Sequence, residues 1–521
     1  MSFINDIETS LLLNWISTEL ELNELDTEDR IAIEKVIRAL FGNSLLRNKV
    51  RLASFIANSE ESKFRELCYR VNVVQQGKLK YDLAVEIASK SFTERSLLAK
   101  ALRDVFLIED DYMPITEATS ETVSFIEPVS LVPPAYDYQL EIIEKIKRFL
   151  ISNESAAVMQ LPTGSGKTRV TIQAIVEQLW DAKLPSHSFV WLAHTQELCD
   201  QAFETFRRLW IANGNAPIKT YRLWGGRKAK INDTQPSAIF TTFGTFSSMQ
   251  ERDELVDILP KLHCVVVDEA HRASSRIFGR VLSDLKSKAK ILGLTATPGR
   301  HAQSAIDNIA LKQLFNSTLI SSEILGDDPI KRLQSRGILA VPNIRFIEGS
   351  DEEIFAESSG DVSTGTLRSL GLNNDRNRII VDQLCGLCSK GHKSLVFSCS
   401  VEHSKLLVAS LAVRNIAASY VDADMSSARR MGVINMFSRG EITVLVNYGI
   451  LSTGFDVPDI SAVVITRPTA SIVLYSQMLG RGMRGIKSGG SDDFLVLDIR
   501  DNMDSFGEVS EVYNYFEGLW V

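Results

Sequence analysis

Leu161-Pro162-Thr163-Gly164-Ser165-Gly166-Lys167-Thr168 stands between an apolar run and a helical pattern. In that setting small residues let successive backbone N–H groups wrap a phosphate, and the following helix turns its positive end toward it. Lys167 is long enough to reach the β- and γ-phosphates of a nucleoside triphosphate, and Thr168 offers a hydroxyl to Mg2+. The strict pattern has Gly where this chain has Leu161. A second group, Val265-Val266-Val267-Asp268-Glu269-Ala270-His271, puts two carboxylates at the end of an apolar strand, 101 residues beyond Lys167. Asp268 would hold Mg2+ through water, and Glu269 would take a proton from an attacking water. A lone Asp-Glu pair at a strand end is ordinary solvated chemistry. The same pair downstream of a phosphate loop points to triphosphate hydrolysis.

A third group, Tyr475-Ser476-Gln477-Met478-Leu479-Gly480-Arg481-Gly482-Met483-Arg484, has the pattern Q-x-x-G-R-x-x-R. Its three-residue spacing predicts Arg481 and Arg484 on one helical face. Taken together these groups resemble the superfamily 2 DEAD/DEAH-box helicases, of the DEAH type, in which the phosphate loop has no leading Gly. The resemblance runs from about residue 134 to 500, with the motifs in the family's order. It implies that Arg481 and Arg484 stabilise charge on the transferring phosphoryl group across a cleft and that Gln477 positions the water. It also implies that Gln139, in Tyr136-Asp137-Tyr138-Gln139, hydrogen-bonds the adenine edge, with Tyr136 available to stack. Thr295-Ala296-Thr297-Pro298 matches the motif that couples hydrolysis to domain movement. His194, Thr195, Gln196, Gly225, Gly226, Thr241 and Thr242 lie where the family contacts a sugar–phosphate backbone, and Arg227, Lys228 and Lys230 add local positive charge. Ser398 falls in the fourth motif. Ser452-Thr453-Gly454-Phe455-Asp456-Val457-Pro458 matches the fifth, with Gly454 and Asp456 beside the nucleotide and Ser452 and Thr453 beside the strand.

The elements that must position these groups follow from pattern. Short apolar runs at 156–160, 189–193, 238–241, 264–268 and 291–295 read as buried parallel strands, and a second series follows at 394–398, 443–447, 462–466 and 494–498. Two strand–helix series predict two tandem doubly wound α/β domains with their ligands at the carboxyl ends of the strands, and the resemblance implies that both are RecA-like. Apolar residues at three- and four-residue spacing, as in Ile31-Ile33-Val36-Ile37-Leu40, predict an all-α domain over 1–110. Pro114, Pro128, Pro133 and Pro134 then mark a linker over 111–133. The ATP-binding domain is expected over 134–305, a connection over 306–347 and the C-terminal domain over 348–521.

The chain has 521 residues and net charge −8. Residues 1–130 hold 22 acidic and 15 basic side chains, so the remainder is nearly neutral, which leaves room for a local phosphate-binding groove. The acidic amino-terminal part suggests a docking surface for a protein partner. Six cysteines do not form a disulfide framework, and no leader or membrane-spanning run is apparent, so a cytoplasmic protein is expected. Cys385, Cys388, His392, Cys399 and His403 could suggest zinc, but buried free cysteines on a helix and at a strand end fit the pattern better.

These readings converge on an ATP-dependent motor using ATP and Mg2+. The spelling of its motifs is closest to bacterial DNA-repair and restriction-type helicases, which implies DNA rather than RNA and a place in DNA repair or antiviral defence. A second reading stands beside it: a nucleic-acid-stimulated ATPase switch or duplex sensor that recruits a partner through its helical amino-terminal domain without unwinding.

Overall fold

The computed structural model describes residues 30–501, apart from 43–44, 76, 94, 110–111, 114–122, 127–133, 181–187, 215, 226–228, 230, 232–236, 253, 256–258, 272–275, 298–304, 350–360, 451–456 and 458. Central apolar runs such as 156–160 and 462–465 become strands because they are covered on both faces, so their side chains need no alternation. The strands of the first lobe are β1 (Val123–Ile126), β2 (Ala156–Gln160), β3 (Ser188–Ala193), β4 (Ile218–Leu223), β5 (Ser237–Thr242), β6 (Leu262–Asp268), β7 (Lys290–Thr295) and β8 (Leu319–Ile320). They order as β1-β4-β5-β3-β6-β7-β2-β8. Among the described strands of this sheet only the β1–β4 pair is antiparallel, with Val123 opposite Tyr221. The second lobe holds β9 (Val341–Glu348), β10 (Ser394–Phe397), β11 (Ala418–Val421), β12 (Val444–Asn447), β13 (Ala462–Ile465) and β14 (Asp493–Arg500). Their order is β11-β12-β10-β13-β14-β9, all parallel. The two lobes are thus RecA-like parallel-sheet α/β domains.

Three boundaries differ from those expected. Residues 123–126, taken as linker, form β1 on the edge of the first sheet, because an antiparallel edge strand needs only one paired side and can be short. β8, in the expected connection, pairs with β2 and extends the first lobe to Ile320. β9 lies in that connection but for its last residue, yet pairs with β14 along its full length, from Val341 opposite Asp493 to Glu348 opposite Arg500. The second lobe therefore starts at 341 rather than 348.

The amino-terminal helices also divide. Helices Lys49–Ala57, Glu61–Arg70, Lys80–Ser89 and Leu97–Phe106 enclose a core of their own around Ile56, Leu67, Ile87 and Leu102. Helix Arg30–Phe41 instead seats Val36 and Leu40 in the main core, and Arg429 of the second lobe donates to Leu40 O at 2.6 Å. Residues 45–106 carry twelve basic and seven acidic side chains. The acidity of the amino-terminal part therefore lies in the segments flanking the four-helix unit, and the expected acidic docking face is not on it.

Candidate active site

The phosphate loop leaves β2 at the centre of the first lobe. Leu161, in the place of the usual Gly, is buried in the core, and its N–H donates to Thr295 O at 3.2 Å. The turn closes through Ser165, whose N–H and Oγ both donate to Pro162 O, at 3.2 and 2.6 Å. Gly164 and Gly166 have φ of +83° and +96°, a region costly for any residue with a Cβ. Lys167 opens helix Lys167–Trp180, and its Nζ donates to Leu161 O at 3.4 Å. Burial pulls the Lys167 amine below its usual range; Glu269 and Asp268 act against that, and Arg481 adds to it. So Lys167 shares its surroundings with both acids and with an arginine of the second lobe.

Asp268 ends β6, two strands away from β2, and accepts the Glu269 N–H at 3.0 Å. Burial and then the neighbouring Glu269 push the Asp268 carboxyl up to about 7, against the pull of Lys167. Glu269 has a φ of +53°, rare for a residue with a side chain and costly by about 1 kcal/mol or more. That strain turns its carboxylate off the strand direction, where it meets His271 Nδ1 at 3.3 Å. His271 Nδ1 also stands 3.2 Å from Thr295 Oγ1, and Gln477 Nε2 donates to His271 Nε2 at 3.4 Å. A chain of contacts therefore runs from Glu269 through His271 to Gln477, from one lobe to the other.

The expectation that Arg481 and Arg484 share a helical face does not hold. The helix Ile472–Leu479 ends before them. Gly480 caps it, and a Cβ there would stand 2.6 Å from Thr163 Cγ2, so the phosphate loop and the second lobe meet at this glycine. Arg481 Nε bonds back to Gln477 O at 3.3 Å, while Arg484 bridges Leu339. Burial lowers both guanidinium pKa values, with Glu269 opposing this at Arg481. Both arginines line one cleft of about 620 Å3 with Thr163–Thr168, Asp268 and Glu269. A cleft walled by Lys167, Arg481 and Arg484 suits a polyanion.

Tyr136, Tyr138 and Gln139 line the same cleft. The Tyr136 and Tyr138 rings stack at 6.0 Å, and the Tyr136 hydroxyl donates to Lys487 O of the second lobe at 3.4 Å. Gln139, expected to read a base edge, has its amide in other bonds: Oε1 accepts from Tyr136 N at 3.1 Å, and Nε2 donates to Ser165 O at 3.0 Å. Tyr138, which the sequence reading passed over, donates its hydroxyl to the same carbonyl at 2.8 Å. A tyrosine one residue before the glutamine, facing a glycine loop, was the available signal.

The backbone-contact candidates among the described residues sit at carboxyl ends of strands. Thr195 caps helix Gln196–Asn213, accepting from Leu198 N at 3.3 Å, and His194 lies beside Phe243 with ring centres 5.3 Å apart. Gln196 Oε1 would be 3.2 Å from a Cβ on Gly225. Thr242 caps helix Phe243–Glu251. Thr241 and Ser398 are buried, with their hydroxyls bonded to Leu223 O at 2.8 Å and Asn447 O at 3.1 Å, so their side chains serve the fold. Gly226, Arg227, Lys228, Lys230, Pro298, Ser452, Thr453, Gly454, Asp456 and Pro458 lie outside the described residues. All six cysteines are free thiols, Cys385 and Cys388 being half-buried on helix Asn374–Ser389, and no metal-holding cluster is found among the described residues. No helix among them is long and apolar enough to cross a membrane.

Residues 133–300 match the family described as type III restriction enzyme, res subunit, and 375–485 match the helicase conserved C-terminal domain. IRC3 of Saccharomyces cerevisiae, named as an ATP-dependent helicase, is 23% identical over 377 residues, taking in 70% of this chain and 51% of that protein. The chain thus spans about half the length of that relative. Among solved structures, S. cerevisiae Dbp5 bound to RNA and ADP BeF3 superposes with a TM-score of 0.51 at 18% identity, over 74% of this chain and 92% of that one. The type ISP restriction-modification enzyme LlaBIII bound to DNA gives 0.50 at 17% identity, over 75% of this chain and 29% of that one. Those two likenesses show the fold.

Proposed function

Because the chain belongs to the superfamily 2 helicases, we propose that it hydrolyses ATP between its two lobes and uses their closing and opening to move along a nucleic acid, DNA being favoured. The carrying observation is the single cleft that collects Lys167, Asp268 and Glu269 from one lobe and Arg481 and Arg484 from the other. In this reading Lys167 and the loop N–H groups hold the triphosphate, and Glu269 accepts the proton of the attacking water. Gln477 places that water, and the two arginines neutralise charge on the phosphoryl group. Gly454 and Asp456 are assigned to the nucleotide by resemblance. The donor set fits Mg2+: a buried carboxylate whose ionisation is resisted by burial and by Glu269 is one a divalent cation would stabilise. Thr168 and Asp268 would hold the ion, which would supply positive charge to offset that of the phosphates. The His271–Gln477 contact supports a path by which hydrolysis alters the fit of the lobes.

For the strand itself, the capped helix starts after Thr195 and Thr242 offer backbone N–H groups to phosphates. DNA is favoured because the family matched by the first lobe is a restriction-enzyme subunit. Arg481→Ala is expected to lower ATP turnover by at least about a thousandfold while nucleotide affinity stays within a few-fold. Turnover near wild type in that variant would remove the two-lobe site. ATPase rates measured with single-stranded DNA, duplex DNA and RNA in turn identify the strand. A strand-displacement assay separates an unwinding motor from a switch that only senses duplex.

A further inference from the structure

Resting on the reading that Arg484 neutralises phosphoryl charge in the cleft, we propose that Leu339, in the connection between the lobes, is a positioning residue that sets Arg484 against the phosphate loop. Gly337-Ile338-Leu339-Ala340 is a short apolar run behind a glycine. Gly337 turns the chain out of helix Pro329–Ser335 with a φ of +66°, and the N–H groups of Ile338 and Leu339 donate back to Leu333 O at 3.0 and 3.3 Å. The run then lies antiparallel to 483–487. Ala340 N donates to Met483 O, Gly485 N to Ile338 O and Lys487 N to Gly337 O, each at 3.0 Å. Gly485 permits this approach, since a Cβ there would stand 2.4 Å from Gly337 O. Ile338, Leu339 and Ala340 are all buried. The backbone that carries Arg484 is therefore fastened to the connection between the lobes rather than to a helix.

Register decides what Leu339 stands beside. It lies opposite Arg484 in an antiparallel bridge. The bonds flanking the two residues, Ala340 N to Met483 O and Gly485 N to Ile338 O, make theirs a non-hydrogen-bonded pair. In such a pair the Cα atoms are about 4.5 Å apart and the side chains crowd together on one face. The direction of that face is fixed by Leu339, whose Cδ2 lies 3.0 Å from the point a Cβ on Gly164 would occupy. Leu339 thus fills the space between the phosphate loop and the pair, next to Arg484, which lines the cleft. Shortening Leu339 opens a gap at Gly164 and takes a wall from beside the arginine, so the guanidinium moves off the place where charge develops. Leu339 itself touches neither triphosphate nor attacking water in this reading. It acts through Arg484.

The experiment measures kcat for ATP hydrolysis and the dissociation constant for ATP on the full chain. Leu339→Ala and Leu339→Val are each made alone and together with Arg484→Ala, and all are checked for an unchanged far-ultraviolet circular dichroism spectrum. Leu339→Val has no Cδ atoms to reach Gly164 yet keeps most of the buried apolar bulk, which guards against a folding failure in Leu339→Ala. Leu339→Ala is expected to lower kcat roughly tenfold while ATP affinity stays within a few-fold, and Leu339→Val to lower kcat by a smaller factor. With Arg484→Ala already present, neither change should lower kcat further. The same factor of loss with and without Arg484 would overturn the inference, because Leu339 would then not act through the arginine. Wild-type kcat in both single Leu339 variants would overturn it too. If Arg484→Ala alone turns over ATP at the wild-type rate, the functional reading of that arginine fails and takes Leu339 with it. A slow Arg484→Ala with an additive Leu339 effect removes Leu339 only.

Discussion

At the carboxyl end of the first sheet, Asp268 is buried beside Glu269, and its carboxyl is pushed up to about 7 by burial and by that neighbour. At the same end of the second sheet, Asp501 follows β14, is equally buried, and receives Arg376 through two bonds of 2.8 and 2.7 Å. Arg376 gives its Nη2 also to Thr466 O at the end of β13, and although burial works against its charge, Asp501 more than offsets that. Each lobe buries charge at the carboxyl end of its sheet, after a central strand in the first and beside the edge strand in the second, and the two use it differently. In the second lobe the charges neutralise each other and lock helix Asn374–Ser389 to two strand ends. In the first, two like charges stand side by side near Lys167, and the fold carries the cost of their burial. The two sheet ends differ in how the charges are arranged, not in residue type.

The largest effect expected from this contrast is on the lock. Arg376→Ala strands a buried carboxylate and should cost about 3–5 kcal/mol of stability by urea denaturation. Replacing both partners, Arg376→Met with Asp501→Leu, should recover most of that loss. A double variant as unstable as the single one would mean the pair does more than cancel its own charges, and the contrast would weaken.

A smaller effect is expected at Glu141, a half-buried carboxylate and a third use of charge. It lies on helix Asp137–Ile151 and accepts from Ser322 Oγ at 2.5 Å, from the N–H groups of Glu323 and Ile324 at 2.9 and 3.2 Å, and from Lys145 at 2.9 Å. Burial opposes its ionisation, but these donors together win and take the carboxyl from 4.5 to about 2. A lowered folded-state pKa adds stability above the unfolded value and loses it as pH falls through the folded value. Glu141→Gln should therefore cost about 2 kcal/mol at pH 7, with the difference shrinking between pH 4.5 and 2. A pH-independent difference would show that shape rather than charge fastens this helix to the segment leaving β8.

These pairs also mark how far the sequence could be read. The phosphate loop, the Asp268-Glu269 pair and the arginine motif were legible because their chemistry requires local spacing. The central strands were legible because burial on both faces writes unbroken apolar runs. β4, with Lys219 and Arg222 turned out of the core, breaks such a run, and β9 is an edge strand with Val341 and Phe346 exposed. Neither carries the signal. Arg376 and Asp501 are common residue types 125 positions apart, so only the closing of the sheet brings them together. The arginine pair was found, yet its helical placement was not, because Gly482 approaches Phe494 too closely for a Cβ and the chain leaves the helix at Gly480.

The smallest effect has the opposite sign and bears most directly on the contrast. Asp268→Asn keeps the shape of the side chain and an oxygen able to accept the Glu269 N–H. It should abolish turnover. In buffer free of nucleotide and divalent cations, its stability should match or exceed wild type by on the order of 1 kcal/mol. The sign follows from the raised pKa. A carboxyl whose folded pKa is raised to about 7 from 3.8 binds more protons in the folded state, so the contribution of Asp268 to wild-type stability falls as pH rises from 3.8 toward 7. Asparagine escapes that penalty, and the gap between the two proteins should be absent at pH 4 and open by pH 7. Thermal melting across that range checks it. If Asp268→Asn instead loses stability as Arg376→Ala does, Asp268 is part of a lock too, and the distinction between the two sheet ends disappears.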